Sequence, residues 1–313
     1  MIPVIQTPNG QLFQTDCLAF LKEIESETVD LAFADPPFNL GKDYTSKIDD
    51  SLAEHEYLAW CENWIEEMIR TLKVGGSLFL YNLPKWNFAL GAFLMKRLTF
   101  RHWISVDIKF SLPVQGRLYP SHYSLLYLVK GAKPAIFHPD RLPVPCCRKC
   151  GGELRDYGGY KNKMNPSGVN LSDVWYDIPP VRHSKYKKRG ANALSLKFMD
   201  RIISMASDPG SLVLDPFGGS GTTFVAAELT GRRWIGSELE CTSIVERFGS
   251  LDGDRHHLRD IHSTKNRLFT DADIALRRKL GRPLSDHYRL EDRVQDIDCC
   301  DNCDTLQADL FIA

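Results

Sequence analysis

Two apolar, strand-like runs end in turns of unusual composition. VDLAFA runs into Asp35-Pro36-Pro37-Phe38, and SLVL runs into Asp215-Pro216-Phe217-Gly218-Gly219-Ser220-Gly221-Thr222-Thr223. In an open parallel sheet with helices on both faces, ligands collect outside the carboxyl ends of the strands, so two such turns can face one cleft although they are far apart in the chain. The rest of the sequence fits that architecture. Val29–Ala34, Ser77–Tyr81, Ile104–Phe110, Tyr123–Val129, Ser211–Leu214 and Arg233–Ser237 are short apolar runs rich in β-branched or aromatic residues and bounded by turn formers. Between several of them lie helical patterns. Leu58, Cys61, Ile65, Met68, Ile69 and Leu72 recur at three- and four-residue steps, with Gly75 and Gly76 expected to stop the helix. Further helices are expected at about 85–98, 192–206 and 220–230. Alternation of this kind predicts an α/β fold with a largely parallel central sheet.

Composition narrows the classes without choosing among them. The 313 residues can bury a substantial core, and their net charge of −1 argues against a wholly electrostatic nucleic-acid binder. Basic residues do cluster locally, at Arg182, Lys185, Lys187, Lys188 and Arg189. No apolar run reaches the roughly 18 residues that span a bilayer, and MIPVIQTPNG lacks the features of a secretory signal, so a cytoplasmic location is expected. Nine unevenly spread cysteines fit a reducing compartment better than a disulfide scaffold.

The glycine-rich turn enters a helix directly, and Gly218, Gly219 and Gly221 permit positive φ and close backbone approach to a ligand. Glu238 ends the next strand, where a carboxylate can accept hydrogen bonds from a ribose diol, so the pair points to an adenosine-containing ligand. No Gly-Lys-Ser or Gly-Lys-Thr follows, which excludes a phosphate-cradling P-loop. A ligand-free tight turn is the plainer alternative for the glycines taken alone. In the other turn, two prolines fix φ and remove backbone donors, so that Asp35 and the carbonyl of Pro36 offer acceptors with little entropy lost on binding. Phe38 adds a flat apolar face. The plainer alternative here is a stiff loop with a solvated aspartate.

With both turns in view, the sequence resembles the S-adenosylmethionine-dependent DNA amino-methyltransferases, and in particular their beta class, in which the catalytic tetrapeptide precedes the cofactor motif FGGSG. The likeness extends to Asp16-Cys17-Leu18, VDLAFADPPFNLGKDY, GGSLFLYN, SHYSLLYLVK, NALSLKFMDRII and WIGSELE, covering roughly residues 11–130 and 180–248. It implies a Rossmann-like methyltransferase fold with an inserted target-recognition region. By the same resemblance, Asp35 and Pro36 bind the target amino group of a base flipped out of double-stranded DNA, Pro37 stiffens the turn, and Phe38 stacks on the base. Asp215, Phe217, Gly219, Gly221 and Thr222 surround the cofactor, Glu238 holds its ribose, and Asp16 and Cys17 approach its adenine edge. Within the family it resembles, aspartate at the head of the tetrapeptide usually goes with adenine and serine usually with cytosine. Phe38 replaces the commoner tyrosine and removes a hydroxyl. The resemblance further implies a homodimer and a cognate restriction endonuclease as partners. Neighbouring readings are cytosine N4 methylation, methylation of an RNA base, and a silent DNA-binding subunit; the intact DPPF and FGGSG motifs count against silence.

Cys147-Arg148-Lys149-Cys150-Gly151-Gly152 matches a zinc-ribbon knuckle, with two thiolates on a turn whose glycines let backbone amides reach sulfur. The similar pair Cys300-Asp301-Asn302-Cys303 is expected to complete a four-cysteine structural zinc site; reduced surface thiols, or two half-sites joined between subunits, are the alternatives. A metal would give shape to a stretch broken by Pro139, Pro143, Pro145, Gly151, Gly152, Gly158, Gly159 and Pro166. The expected organisation is therefore 1–133 for the catalytic part of the methyltransferase domain, and 134–180 for an inserted, zinc-ribbon-like target-recognition region. Residues 181–249 form its cofactor-binding part, and 250–313 an appendage carrying the second cysteine pair. Lys185, Lys187, Lys188 and Arg189 are expected to grip phosphates, ordinary solvated surface being the alternative.

Overall fold

The computed structural model describes residues 1–41, 51–108, 115–116, 118–144, 164–178 and 193–281. The chain forms two compact units, Met1–Asp140 with Ser172–His262, and Arg141–Leu171 with Ser263–Ala313. The first contains β1 (Ile5–Gln6), β2 (Gly10–Gln14), α1 (Cys17–Glu23), β3 (Val29–Ala34), α2 (Glu54–Thr71), β4 (Leu72–Asn82), α3 (Pro84–Met95), β5 (Thr99–Asp107) and β6 (His122–Val129). The short β7 (Arg141–Leu142) and β8 (Val169–Asn170) belong to the second unit. The chain re-enters the first unit with β9 (Val174–Trp175), α4 (Leu196–Ala206), β10 (Leu212–Asp215), α5 (Thr222–Leu229), β11 (Arg233–Glu238), α6 (Thr242–Phe248) and α7 (Asp252–Ser263). Last comes α8 (Asp271–Lys279), in the second unit.

Nine strands form one sheet in the order β1-β2-β11-β10-β3-β4-β6-β5-β9. The pairs β2–β11, β11–β10, β10–β3 and β3–β4 are parallel, and the β5–β6 hairpin is antiparallel to this group. Strands buried on both faces must be apolar throughout, and β3 shows how that works. Ala32 and Ala34 pack with α1, α2 and α3, whereas Phe33 points the other way, its ring 6.1 Å from Phe198 of α4. Phe20, Leu21, Trp64, Ile65, Met68, Leu90 and Leu94 cover the first face and are all but inaccessible. Each such aliphatic side chain contributes about 1.5–3 kcal/mol by leaving water.

Helix α2 follows the expected three- and four-residue spacing, with Tyr57, Cys61, Trp64, Ile65 and Met68 buried. Glu54 and Glu56 in its first turn complement the helix dipole. Its end differs from the sequence expectation. The helix stops at Thr71, and Gly75 and Gly76 lie inside β4. The reason is capping from outside the segment: Lys130 Nζ donates to the carbonyls of Ile69 (3.1 Å) and Leu72 (2.7 Å), and Thr71 Oγ1 donates to Met68 O at 2.8 Å. The strand expected at Ile104–Phe110 begins five residues earlier, at Thr99, because pairing with β6 extends it.

Residues 141–171 belong to the second unit, and 172–178 return to the main sheet, where Val174 and Trp175 pair with Ser105 and Val106. Asp177 fixes this return: Arg201 donates to both of its oxygens (2.9 and 2.6 Å) and Lys197 adds an ion pair at 2.8 Å. Although burial opposes the charge, these cations win and hold the Asp177 carboxyl down at about 2.

In the second unit, β7 and β8 pair antiparallel, and Arg141 and Asn266 exchange hydrogen bonds of 2.8 Å. Val144 N–H donates to Leu268 O at 2.9 Å, and buried Leu268 and Phe269 pack with Val144, Met164 and Ile274. Helix α8 starts at a capping box in which Thr270 and Asp273 satisfy each other. Among the described residues, no helix is long and apolar enough to cross a membrane.

Candidate active site

The strands β3 and β10 are neighbours, with Leu31 and Ala32 beside Val213 and Leu214. From β3 the sheet continues through β4, and from β10 it continues the opposite way through β11 and β2. The point where strand order reverses opens a crevice at the carboxyl ends. Both turns identified in the sequence leave the sheet there. Thr15, just beyond β2, donates its N–H to Glu238 O at 3.2 Å, so Asp16 and Cys17 follow a strand end beside Glu238.

The Asp-Pro-Pro-Phe turn is clamped from outside. Tyr57 of α2 donates its hydroxyl to Pro37 O (2.7 Å) and accepts from Asn82 Nδ2 at the end of β4 (3.1 Å). Trp86 of α3 donates Nε1–H to Phe38 O at 2.7 Å, and Asn39, with φ of 53°, donates to Leu52 O at 2.8 Å. Two successive carbonyls are thus tied down by buried side chains, which holds the preceding Asp35-Pro36 unit at one orientation. Asp35 is half-buried and Pro36 is buried. Phe38, only 6% exposed, stands against two further rings, 5.5 Å from Tyr123 and 6.2 Å from Tyr81.

The glycine turn is organised by carboxylates. Asp215 is 1% exposed and accepts from Phe217 N (2.9 Å) and Thr223 Oγ1 (2.5 Å). Burial is the main cause that pushes it up to about 7, against the pull of those two hydrogen bonds. Glu238 accepts from Gly219 N (2.6 Å) and Leu239 N (2.8 Å), and its pKa too is raised by burial. Gly221 requires glycine twice over: its φ is +75°, and a Cβ there would stand 2.6 Å from Ile244 Cγ2. Gly219, at φ +53°, has nothing nearer to such an atom than Phe217 O at 3.9 Å, so the turn is open on that side. Arg247 of α6 locks the turn, donating to Ser220 O and Thr222 Oγ1 (both 3.0 Å) while its other nitrogens hold Asp254. Thr222 in turn donates to Leu194 O at 3.1 Å, just ahead of α4.

Of the residues singled out from sequence, Asp35, Pro36, Pro37, Phe38, Asp215, Phe217, Gly219, Gly221, Thr222, Glu238, Asp16 and Cys17 all fall at these adjacent strand ends. Within that group Asp215 and Thr222 are bound up in protein contacts that shape the turn, and Asp16 caps α1 by accepting from Leu18 N and Ala19 N. The Cys17 thiol, pushed up to about 12 by burial and then by Asp16, is neutral. Phe217 packs into α2, its ring 5.0 Å from Trp64 and 5.9 Å from Trp60. Cys147, Cys150, Cys300, Cys303, Lys185, Lys187, Lys188 and Arg189 lie outside the described residues. Among the described residues, no group of three or more His, Cys, Asp or Glu is arranged to hold a metal. Sequence reasoning missed Tyr57, Asn82, Trp86 and Arg247. Tyr57 carried only the signal of a helix-face aromatic, and Arg247 carried none.

A reversed-order α/β sheet with an acceptor-rich turn beside a glycine turn, and a carboxylate at the next strand end, is the architecture of a Rossmann-like methyltransferase fold. Residues 29–244 match the model of the N6/N4 DNA methylases. The chain is 53% identical over 288 residues to the type II methyltransferase M.BamHI of Bacillus amyloliquefaciens, covering 92% of this chain and 68% of that one. It is 33% identical over 251 residues to the DNA adenine methyltransferase YhdJ of Escherichia coli (strain K12), with 77% and 82% covered. Among solved structures, the fold matches the PvuII DNA methyltransferase (cytosine-N4-specific) with a TM-score of 0.59 at 19% identity, over 83% of this chain and 93% of that one. The chain belongs to the N6/N4 DNA methylase family, whose methyl donor is S-adenosylmethionine and whose substrate is DNA.

Proposed function

We propose that this protein methylates N6 of an adenine flipped out of double-stranded DNA, at a specific sequence. The observation that carries the reading is the placement of Asp35-Pro36, held by the Tyr57 and Trp86 clamps, on the strand next to the glycine turn. The residues present fit S-adenosylmethionine. Gly219 is open where a side chain would intrude, and Glu238, half-buried at the neighbouring strand end, suits a ribose diol. When bound, the cofactor supplies an electrophilic methyl group on a sulfonium; Gly219, Gly221, Phe217 and Glu238 would hold it.

The chain's own contribution is alignment. An exocyclic amino group is a poor nucleophile because its lone pair is delocalised into the ring. Asp35 and the Pro36 carbonyl accept hydrogen bonds from its two N–H groups, which draws the nitrogen toward a tetrahedral form and fixes its line of approach. Phe38 walls the base. The buried thiols of Cys17 and Cys61, both pushed up to about 12, take no covalent part.

Adenine follows from Asp35 at the head of the tetrapeptide and is supported by the name of the YhdJ relative. Cytosine N4 is a second reading, favoured by Phe38, which lacks the hydroxyl of the commoner tyrosine. The type II methyltransferase relatives support a restriction-modification setting with a cognate endonuclease, and a homodimer is proposed from the family resemblance alone. Lys185, Lys187, Lys188 and Arg189 are proposed to grip phosphates, so neutralising one would lower the slope of log affinity against log salt by about one. A structural zinc on Cys147, Cys150, Cys300 and Cys303 remains part of the proposal. Its support is the knuckle spacing and the hydrogen bonds that join Arg141 and Val144, shortly before the first pair, to Asn266 and Leu268. Zinc-free purified protein whose activity survives Cys147→Ser would remove it.

Expression in a host without DNA methylation, followed by single-nucleotide detection of modified bases, tests the whole. N6-methyladenine at one short motif, lost in Asp35→Ala, is the expected result. Modified cytosine would shift the function to the second reading, and unmodified DNA with folded, cofactor-binding protein would point to RNA or to a silent recognition subunit.

A further inference from the structure

Tyr81, on β4 beside the catalytic turn, carries a hydroxyl that the packing does not account for. The side chain is only 7% exposed, and its ring lies 5.1 Å from Phe198, 5.3 Å from Tyr123 and 6.2 Å from Phe38. Leu80 packs on the α1–α3 face, while Tyr81, one residue on, faces α4. It therefore stands on the opposite face of the sheet from its neighbour Asn82, which anchors Tyr57 and the turn's clamp. Among the described residues its hydroxyl makes no hydrogen bond, and it is not one of the unpaired side-chain polar atoms sealed from solvent, so it can meet a ligand. Burial raises its pKa well above the usual tyrosine range, and the nearby Asp35 carboxylate adds to the rise, so the phenol stays neutral and able to donate.

We infer that the Tyr81 hydroxyl is a base-positioning group, donating a hydrogen bond to the ring nitrogen next to the target amino group. The inference rests on the reading that this pocket receives a flipped, amino-bearing base. Adenine and cytosine both present, beside the amino group, a ring nitrogen with a free lone pair. Asp35 and Pro36 supply only acceptors for the amino hydrogens, so that nitrogen is left without a donor. Phe38 cannot supply one, and Tyr81, 6.2 Å away ring to ring in the same aromatic cluster, can. Thymine has no amino group and a hydrogen on its N3, so the same donor and acceptors disfavour it.

The test compares the full-length wild-type protein with Tyr81→Phe, using unmethylated genomic DNA and radiolabelled S-adenosylmethionine. The variant keeps the ring and removes only the hydroxyl. If that hydroxyl served packing alone, removing it would leave activity and melting temperature equal or higher. The expected result is a fall of about tenfold in kcat/KM for DNA, the size of one lost hydrogen bond, with the Kd for S-adenosylmethionine and the melting temperature unchanged. Wild-type and variant rates within twofold of each other would overturn the inference and leave the methyltransferase reading intact. A parallel loss of cofactor affinity or melting temperature would likewise overturn it. A wild-type protein that binds the cofactor yet transfers nothing to DNA would remove the underlying reading and the inference with it.

Discussion

The two turns that meet at the ends of β3 and β10 are stiffened by different means. The Asp-Pro-Pro-Phe turn is gripped by side chains from elsewhere: Tyr57 on α2 and Trp86 on α3 donate to the carbonyls of Pro37 and Phe38, and Asn82 on β4 donates to the Tyr57 hydroxyl. Its prolines have no N–H to contribute, so the hydrogen bonds that hold it must be donated to it. The glycine turn is gripped from within and from its neighbouring strand. Asp215 takes the Phe217 N–H, Glu238 takes the Gly219 N–H, and Gly218 N–H reaches Ser237 O. The proline turn is held by donors, and the N–H groups of the glycine turn by acceptors, with Arg247 adding donors to Ser220 O and Thr222 Oγ1. The difference follows from proline and glycine chemistry and gives each turn its own mode of failure.

Removing the acceptor itself should have the largest effect. Asp35→Ala is expected to lower methyl transfer by about 10²-fold or more while cofactor affinity measured by calorimetry stays near wild type, by analogy with the loss of one preorganised catalytic hydrogen bond. Wild-type turnover in that variant would refute the catalytic assignment. On the other turn, Gly221→Ala meets both the positive φ and Ile244 Cγ2, and should cost about 1–3 kcal/mol of stability by thermal unfolding together with cofactor affinity. Loss of transfer with cofactor binding unchanged would erase the contrast between the turns.

Trp86→Phe sharpens the comparison, because it leaves the Phe38 carbonyl buried and without its donor, at about 1–3 kcal/mol. It is expected to lower kcat, read from steady-state kinetics, with little change in cofactor Kd. The smallest effect concerns pH. Asp215 is raised from 3.8 to about 7, so the folded state binds a proton that the unfolded chain releases. Its contribution to stability is therefore full below about 3.8 and is lost as pH rises through about 7. Asp215→Asn should flatten that part of the stability–pH curve in denaturant titrations, and an unchanged slope would assign it elsewhere. Asp177 runs the opposite way: depressed from 3.8 to about 2, it stabilises above 3.8, and that share is lost as pH falls through about 2.

Much of the fold was legible. Val29–Ala34 is the strand expected, and Tyr123–Val129 and Arg233–Ser237 need one added residue each, because buried parallel or central strands are written as unbroken apolar runs. The edges were not. β1 and β9 are two residues each and paired at the margins of the sheet, too short for any periodicity to register. The end of α2 was misread because glycine is a strong local stop signal, whereas the actual cap comes from Lys130, which is remote in sequence.

What the sequence by itself determined is the set of reactive groups and the local backbone each needs: acceptors freed by proline at Asp35-Pro36, positive φ at Gly219 and Gly221, a carboxylate ending β11. Those properties are covalent and local, so they are written in neighbouring residues. Only the tertiary structure decided which groups hold them in place. Tyr57, Asn82, Trp86 and Arg247 act across tens of residues of chain, as does the ring contact of Tyr81 with Phe38, and nothing in an isolated tyrosine or arginine says which carbonyl or pocket it will face. The physical reason is that a hydrogen bond's partner is set by where packing carries the two groups, and packing is a property of the whole sheet.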